Sequence, residues 1–455
     1  MLVCASNPSS AIQRLAPELL SEVFLQCLSE DETSSMRHFS RSPLLLGRVC
    51  SAWRTISHST AALWTHLTIG EDFHTISRPD YTKDGVAMWV WIKRSRSLPL
   101  SVRISFGRSA RRSDFTEQSL ETLLMIVQSQ SSRWKRLDAT IPVIFEGILI
   151  TPFCVKNVAM LENVAIRIWG TWPSGGRMTE LKFPLSAAPR LRYFDLLAES
   201  NVRVIFDGPA HDIKCLNFLH RYGVKTHQAD LMECLTYCTS LSTLSFHLHP
   251  SSPHGFHAIL KHTYLESLRL EIHLACDLGL LFHHLVLPAL TELILEMDED
   301  EEAVLDWPHL LTLLKYSRPP LTSLILIGRI PMTETTLIEC IKYTPGLRIA
   351  IVSGVRCTDT TLRAFTVDDS DSSTILCPSL QKLNLGIESR FSRAAVEELI
   401  LSRWGDHRSK SYSPPVPRKE LAELWVGYIP NLHDISSDPA IAVCISEGFR
   451  LGSEG

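Results

Sequence analysis

The sequence predicts an α/β solenoid preceded by a small helical unit, an α+β arrangement when both parts are counted. Three observations lead to this fold class. A leucine pattern recurs through most of the 455 residues, a strongly apolar helix lies near the N-terminus, and a polar segment separates the two. Because a chain of this length exceeds one simple core, it needs either several units or one elongated repeat array.

The first predicted element is a helix in the stretch IQRLAPELLSEVFLQCL, residues 12–28. Its apolar residues fall at helical spacing and make a wide stripe. Pro17 and Glu18 suit a first turn, where proline lacks only an unpaired donor and a carboxylate meets the positive end of the helix dipole. These side chains either fill the small core of their own unit or leave a surplus apolar face that docks a partner.

A second helix is predicted in SPLLLGRVCSAWRTISHSTAALWTHLTI, residues 42–69, with Leu45, Val49, Trp53 and Ile56 on one side. We therefore place a helical domain at residues 11–69, between a flexible tail and a polar, turn-rich linker. The predicted tail covers residues 1–10 and the predicted linker covers residues 70–90.

The rest of the chain carries a degenerate repeat. LPALTELIL, PPLTSLIL and CPSLQKLNL share the pattern Pro-x-Leu-x-x-Leu-x-Leu, and APRLRYFDL, CTSLSTLSF and TYLESLRL fit it with minor changes. The helix-like stretches ECLTYCTSL and ECIKYTPGL both place a leucine four residues after tyrosine. The middle apolar residues of the predicted strands are Leu137, Val164, Phe194, Leu216, Leu244, Leu268, Leu293, Leu324, Ala350, Leu383 and Leu424.

From Leu137 to Leu424, ten steps average 28.7 residues. This length holds one strand and one helix and is similar to the upper range of leucine-rich repeats. In such a pattern alternate residues point into the solenoid, while the intervening residues line a concave sheet. We predict an irregular leucine-rich-repeat horseshoe over residues 91–455, with a flexible insertion at about residues 405–419.

The N-terminal stretches LAPELLSEVFLQCL, RVCSAWRTIS and ALW together resemble the F-box, in particular the F-box-like form common in fungal proteins. Ala16 stands where that family usually has proline. The resemblance implies that these helices bind the Skp adaptor and, through it, a cullin–RING ubiquitin ligase. The implied adaptor-binding residues are Leu15, Pro17, Glu18, Leu19, Val23, Phe24, Val49, Cys50 and Trp53.

The concave strand surface is the predicted binding face for a protein substrate. Ile325 and Ile327 would be exposed β-branched residues in the predicted register, which favours a binding role or a covered edge. The candidate residues on this face are Ser245, His247, Arg269, Glu271, Glu292, Ile294, Glu296, Ser323, Ile325 and Ile327.

Motifs for catalysis are missing from the sequence. It contains no P-loop, no dinucleotide-binding glycine motif, no nucleophile elbow and no His-Glu-x-x-His. Ser174 lacks the spacing of a nucleophile, and Cys234, Cys238, His247 and His249 lack the spacing of a zinc finger. We therefore expect no enzymatic activity, no cofactor and no metal.

Composition restricts the partners and the compartment. The net charge of −4 gives no electrostatic reason to expect nucleic acid or an anionic membrane as partner. The sequence shows no secretory signal, and its longest apolar region is interrupted by charged residues and histidines. Twelve cysteines without paired spacing suit free thiols, so we expect a cytoplasmic or nuclear protein.

Together with the repeats, the resemblance to the F-box implies a substrate-recruiting adaptor subunit of a Skp–cullin–F-box ubiquitin ligase. The alternative is a scaffold protein outside any ligase, whose F-box-like unit packs on its own repeats.

Overall fold

The structure is a computed structural model that carries side chains. It describes residues 11–28, 36, 42–70, 81–106, 114–170, 180–198, 202–220, 225–250, 258–273, 276–297, 309–328, 330–367, 376–404, 421–428 and 435–453. The predicted tail at residues 1–10 and the predicted insertion at residues 405–419 lie outside these ranges, as does Ser174.

The chain divides into two compact units. Unit 1 contains residues 1–212 and 220–224, and unit 2 contains residues 213–219 and 225–455. The N-terminal helices therefore belong to the same unit as the first strands of the repeat. The sequence placed the main boundary near residue 70 instead.

Unit 1 alternates helices and strands. Its elements are α1 (Pro17–Gln26), α2 (Leu46–Val49), α3 (Ser51–Ser59), β1 (His66–Gly70), α4 (Tyr81–Arg94), β2 (Leu100–Ser105), α5 (Asp114–Gln128), β3 (Trp134–Pro142), α6 (Glu146–Cys154), β4 (Asn163–Trp169), β5 (Leu181–Pro184), β6 (Tyr193–Ala198) and β7 (Val202–Ile205). Strands β1, β2, β3, β4 and β6 form parallel neighbours in that order, while β5 and β7 form a separate short parallel pair.

Unit 2 repeats the same alternation. Its elements are β8 (Cys215–His220), α7 (Gln228–Tyr237), β9 (Thr243–Leu248), β10 (Leu260–Lys261), β11 (Ser267–Ile272), α8 (Gly279–His284), β12 (Leu285–Val286), β13 (Glu292–Met297), α9 (His309–Ser317), β14 (Ser323–Ile327), α10 (Glu334–Lys342), β15 (Ile349–Val352), α11 (Asp359–Phe365), β16 (Lys382–Arg390), α12 (Arg393–Trp404), β17 (Glu423–Tyr428), α13 (Pro439–Ser446) and β18 (Arg450–Ser453). Except for the short pair β10 and β12, these strands are parallel neighbours in chain order.

This α/β architecture, with long parallel sheets built from successive strand-and-helix repeats, is compatible with the predicted solenoid. The leucine pattern also predicts the strand register. Leu137 pairs with Val164, which pairs with Phe194. In unit 2 each repeat position pairs directly with the next through Leu216, Leu244, Leu268, Leu293, Leu324, Ala350, Leu383 and Leu424, and the register of β16 against β17 shifts after Leu385. These side chains are buried, so the repeated leucine position forms the core of each repeat.

Backbone hydrogen bonds reinforce the same register just before the strands. Thr291 N–H donates to the carbonyl of Glu266, Thr322 N–H to that of Thr291, and Arg348 N–H to that of Thr322, each at 2.8 Å. Each repeat thus satisfies a polar backbone group of the next one.

Two predictions about the N-terminal region need correction. The predicted second helix is broken at Cys50, whose extended backbone (φ −156°, ψ 173°) separates α2 from α3. The range 70–90, predicted as a linker, contains the beginning of α4, and β1 already pairs with β2. The sequence indicated a helix end at WVWIKR, but the beginning of α4 was predicted as linker because Asp84 and Gly85 are typical of a turn-rich segment.

Candidate functional site

The N-terminal helix α1 has two apolar faces. Leu20 and Phe24 point inward, and Phe24 is 0% exposed with its ring centroid 4.9 Å from that of Trp53 in α3. Leu15, Leu19 and Val23, spaced four residues apart, are exposed. Leu19 and Val23 lie on one face of α1 and Leu15 lies two residues before its start, so this region presents an apolar stripe that the described residues leave uncovered.

A second exposed apolar pair lies on α2 and the turn before it. Leu45 and Val49 are four residues apart, and Val49 is 57% exposed. We define the N-terminal apolar patch as the exposed residues Ile12, Leu15, Leu19, Val23, Leu45 and Val49. All six belong to unit 1. Single exposed hydrophobic residues are ordinary, but a set that follows helical spacing is typical of an interaction surface.

The other predicted adaptor-binding residues have distinct local roles. Pro17 is the first residue of α1 and Glu18 lies in its first turn, both exposed, as a helix N-terminus favours. Cys50 caps α3, since its Sγ accepts the backbone N–H of Trp53 at 3.4 Å. Trp53 is half-buried.

Phe24 is the one predicted contact residue that the structure corrects. Its side chain is fully buried and packs against Trp53, so it stabilises the helical unit and cannot meet a partner in this conformation. Ile12 and Leu45 are exposed apolar residues missing from the predicted set. Their spacing of three and four residues from Leu15 and Val49 is the sequence signal that identifies them.

The second candidate surface is one face of the parallel sheet in unit 2, which we call the unit 2 open face. All ten predicted substrate-binding residues lie on it, because they alternate with the buried leucine positions along β9, β11, β13 and β14. The pairing aligns them in rows across the strands. One row runs through Ser245, Arg269, Ile294, Ile325, Ile351, Asn384 and Trp425.

Exposure varies along this face. Ile327 is 40% exposed and Ile294 and Ile325 are half-buried, whereas His247 and Ser323 are each 8% exposed. His247 and Ser323 therefore contribute to packing more than to an accessible surface. Ile349, Ile351 and Trp425 extend the face beyond the predicted set.

Acidic side chains flank the isoleucines of the unit 2 open face. Arg269 Nη2 lies 2.9 Å from a carboxylate oxygen of Glu296 and 3.4 Å from one of Glu271. Glu292 accepts a hydrogen bond from the Ser267 hydroxyl at 2.7 Å. The Arg269 guanidinium thus pairs with the carboxylates of Glu271 and Glu296, and the Glu292 carboxylate contacts the neutral hydroxyl of Ser267.

The corresponding face of the sheet in unit 1 is charged instead of apolar. Asp138 lies 3.7 Å from Arg103 and 3.4 Å from Arg167, and Arg167 reaches Asp195 at 3.2 Å. Burial, helped by the nearby Asp138, raises the pKa of Asp195 although Arg167 opposes this shift. The charges compensate one another, so this face offers little apolar surface to a partner.

Three histidines lie together where β9 and β11 end: His247 within β9, and His249 and His273 just after β9 and β11. The ring centroids of His247 and His249 are 4.4 Å apart, and those of His249 and His273 are 6.1 Å apart. Burial, followed by the neighbouring cationic groups, lowers the pKa of His249 to about 4, so this imidazole is neutral at pH 7.

No metal centre is formed by these groups. In the ranges that the structure describes, no three His, Cys, Asp or Glu side chains are arranged to hold a metal ion. Cys234 and Cys238 lie in α7 and are 0% exposed. Burial raises the pKa of the Cys234 thiol well above its ordinary value, so this cysteine has the character of a core residue.

Comparison with known proteins adds no assignment. No protein-family model matches the chain, and no curated protein is significantly similar to it. Among the described helices, none combines the length and the apolar character needed to cross a bilayer.

Proposed function

We propose that this protein is a substrate-recruiting subunit of a Skp–cullin–F-box ubiquitin ligase. Its N-terminal apolar patch binds the Skp adaptor, and its unit 2 open face holds a protein substrate. The observation that carries the proposal is the second apolar face of α1, where Leu19 is 55% exposed although Phe24 on the same helix is completely buried.

A helix that needs only to close a small core has one apolar face. The exposed stripe of α1 places apolar surface in water without any benefit to folding. An amphipathic helix that enters the groove of a partner removes this surface from water. The same helix carries the F-box-like residues Glu18 and Leu19, and Leu15 lies just before it, so the exposed apolar surface and the family resemblance both support this assignment.

The proposed activity needs no bond-making residue in this chain. Binding the adaptor at one surface and the substrate at another raises the effective concentration of substrate near a ubiquitin-loaded enzyme. Both surfaces have accessible apolar side chains among the described residues, which supports the proposal that one binds the adaptor and the other binds the substrate.

The test is co-expression with a Skp adaptor, followed by size-exclusion chromatography with light scattering. We expect a one-to-one complex for the unmodified chain. Leu19→Ser with Val23→Ser should abolish it, because both side chains are exposed and their loss removes contact area without opening the core. Each buried apolar side chain at an interface centre contributes about 1.5–3 kcal/mol.

A matched control is Val443→Ser on α13, a side chain 55% exposed, as Leu19 is. This variant should bind the adaptor normally. Phe24→Ala is unsuitable as a test, since loss of a fully buried aromatic ring costs about 3–5 kcal/mol of stability. A serine double variant that folds and still binds the adaptor with unchanged affinity would refute the assignment of this surface.

The alternative is a scaffold protein whose F-box-like unit packs on its own repeats, and one contact favours it. Trp64 is buried edge-on against Trp91 of α4, with ring centroids 4.6 Å apart, and the Arg94 guanidinium lies 4.2 Å from the Trp64 ring centroid. The C-terminal part of the F-box-like unit, at Trp64, is therefore covered by α4 of the same unit. Cullin recovered in equal amount with the tagged chain would support the ligase subunit, whereas its absence would support the scaffold.

A further inference from the structure

The unit 2 open face combines an apolar strip with an excess of negative charge. Ile294, Ile325 and Ile351 lie side by side on β13, β14 and β15, as their pairing shows. Ile327 and Ile349 widen the strip along the strands. With about 4.8 Å between neighbouring strands, three strands give an apolar strip about 10 Å across.

The charge excess lies on one side of this strip, on β11 and β13. The carboxylates of Glu271, Glu292 and Glu296 stand against the single guanidinium of Arg269, a local balance of three negative charges to one positive. The chain continues after β13 with five acidic residues, Asp298 to Glu302, whose conformation lies outside the described ranges.

On the other side of the strip the charges are matched. Lys382 Nζ lies 3.0 Å from Glu423 Oε1, and the same oxygen accepts the indole N–H of Trp425 at 2.6 Å. Hydrogen bonds and the Lys382 charge together outweigh burial and lower the pKa of Glu423, which therefore stays ionised and paired. A ligand thus meets a net negative charge on the β11 and β13 side of the strip, where Glu292 contacts the neutral Ser267 hydroxyl and Glu296 shares the Arg269 guanidinium with Glu271.

We propose that the occupant of this face is an extended protein segment in which large apolar side chains stand next to lysine or arginine. The apolar side chains cover the isoleucine strip, and the cation lies against Glu292 and Glu296. An acidic segment would instead bring like charges together and leave carboxylates unpaired, which costs affinity. This inference rests on the proposed function only in that the segment belongs to a recruited substrate.

Fluorescence anisotropy with labelled synthetic peptides tests the proposal on the full-length chain. Peptides of about ten residues are long enough to cross five strands. The first alternates leucine and lysine between glycine and serine spacers, the second replaces lysine by glutamate, and the third replaces leucine by serine. We expect the first peptide to bind at least about tenfold more tightly than either other peptide, and to weaken as salt rises.

Two variants and their controls assign the binding to this face. Glu292→Gln should weaken the leucine–lysine peptide roughly threefold to tenfold, and Ile325→Thr should weaken it by about tenfold. Glu339→Gln makes the same change at a half-exposed position on α10, and Val443→Thr makes a similar change from an apolar β-branched side chain to threonine at an exposed position on α13. Both controls should leave the affinity unchanged.

Three outcomes would overturn the inference. These are equal binding of the lysine and glutamate peptides, no binding of the leucine–lysine peptide, and equal losses in the variants and their controls. The same preparations are tested for Skp adaptor binding. Adaptor binding without the peptide preference rejects this inference alone, whereas the peptide preference without adaptor binding rejects the proposed function alone.

Discussion

The buried guanidinium of Arg403 provides a quantitative test of how unit 2 is stabilised. Arg403 lies in α12, is 1% exposed, and its Nε donates to the carbonyl of Phe365 at 2.7 Å. Its terminal nitrogens donate to the carbonyls of Cys377 at 3.0 Å and Leu376 at 2.7 Å. One side chain thus joins the end of α11 to the segment that leads into β16.

The expected cost of Arg403→Met follows from these contacts. Three hydrogen bonds from a charged donor are worth about 1.5–3 kcal/mol each, or about 4–9 kcal/mol in total. Removing a buried charge returns several kcal/mol of desolvation free energy, and methionine keeps most of the aliphatic packing. We therefore expect the free energy of unfolding of unit 2 to fall by about 2–4 kcal/mol.

The assay is urea denaturation followed by tryptophan fluorescence, with hydrogen exchange on the amides of β15 to β17 to localise the effect. Arg393→Met on the same helix is the matched control, because Arg393 is half-exposed and pairs with Glu397 at the surface. Its loss should cost less than about 1 kcal/mol. Equal costs for the two variants would refute the reasoning, since desolvation would then cancel all three hydrogen bonds.

Two further predictions concern Glu334 of α10 and Gly427 of β17. Burial alone would raise the pKa of Glu334, but hydrogen bonds from Thr361 and Thr358 outweigh it and lower this pKa below 4.5. Glu334→Gln should therefore destabilise the protein at pH 7, and this loss of stability should disappear as the pH falls through the lowered pKa. Urea denaturation of both proteins at pH 7 and at a pH below that pKa measures the difference, and a loss that does not change with pH would contradict this reasoning. At Gly427 a Cβ atom would lie 2.4 and 2.7 Å from two backbone oxygens of β16, whereas at Gly147 in α6 it would meet nothing within 4 Å. Gly427→Ala should cost about 1–3 kcal/mol and Gly147→Ala should gain up to about 1 kcal/mol, so equal thermal shifts would refute the packing argument.

Sequence periodicity predicted the repeat register well, because the leucine positions are buried in every repeat and tolerate only apolar side chains. Leu244, Leu268 and Leu293 pair as their spacing predicts, and this fixes which residues share the opposite face. The candidate site in unit 2 follows directly from that register, since side chains alternate along a strand. Only the degree of burial, as at His247 and Ser323, had to come from the structure.

The contacts that join distant parts of the chain left no signal in the sequence. Arg403 shares the buried face of α12 with Leu399 and Ile400, and its three carbonyl partners lie 26 to 38 residues away in the sequence, beyond the reach of any local pattern. Nor does composition reveal the division of the chain near residue 212, because the repeat pattern continues on both sides of it.

The N-terminal helix separates the two kinds of information most clearly. By itself the sequence determined that Leu19, Val23 and Phe24 lie on a wide apolar stripe, because periodicity reports which residues share a helical surface. Only the tertiary structure decided that Phe24 is buried against Trp53 while Leu19 and Val23 stay exposed. The physical reason is that apolar residues have the same helical spacing whether their face packs in the core or binds another protein. Only the residues that pack against each side chain in the folded protein distinguish the two cases.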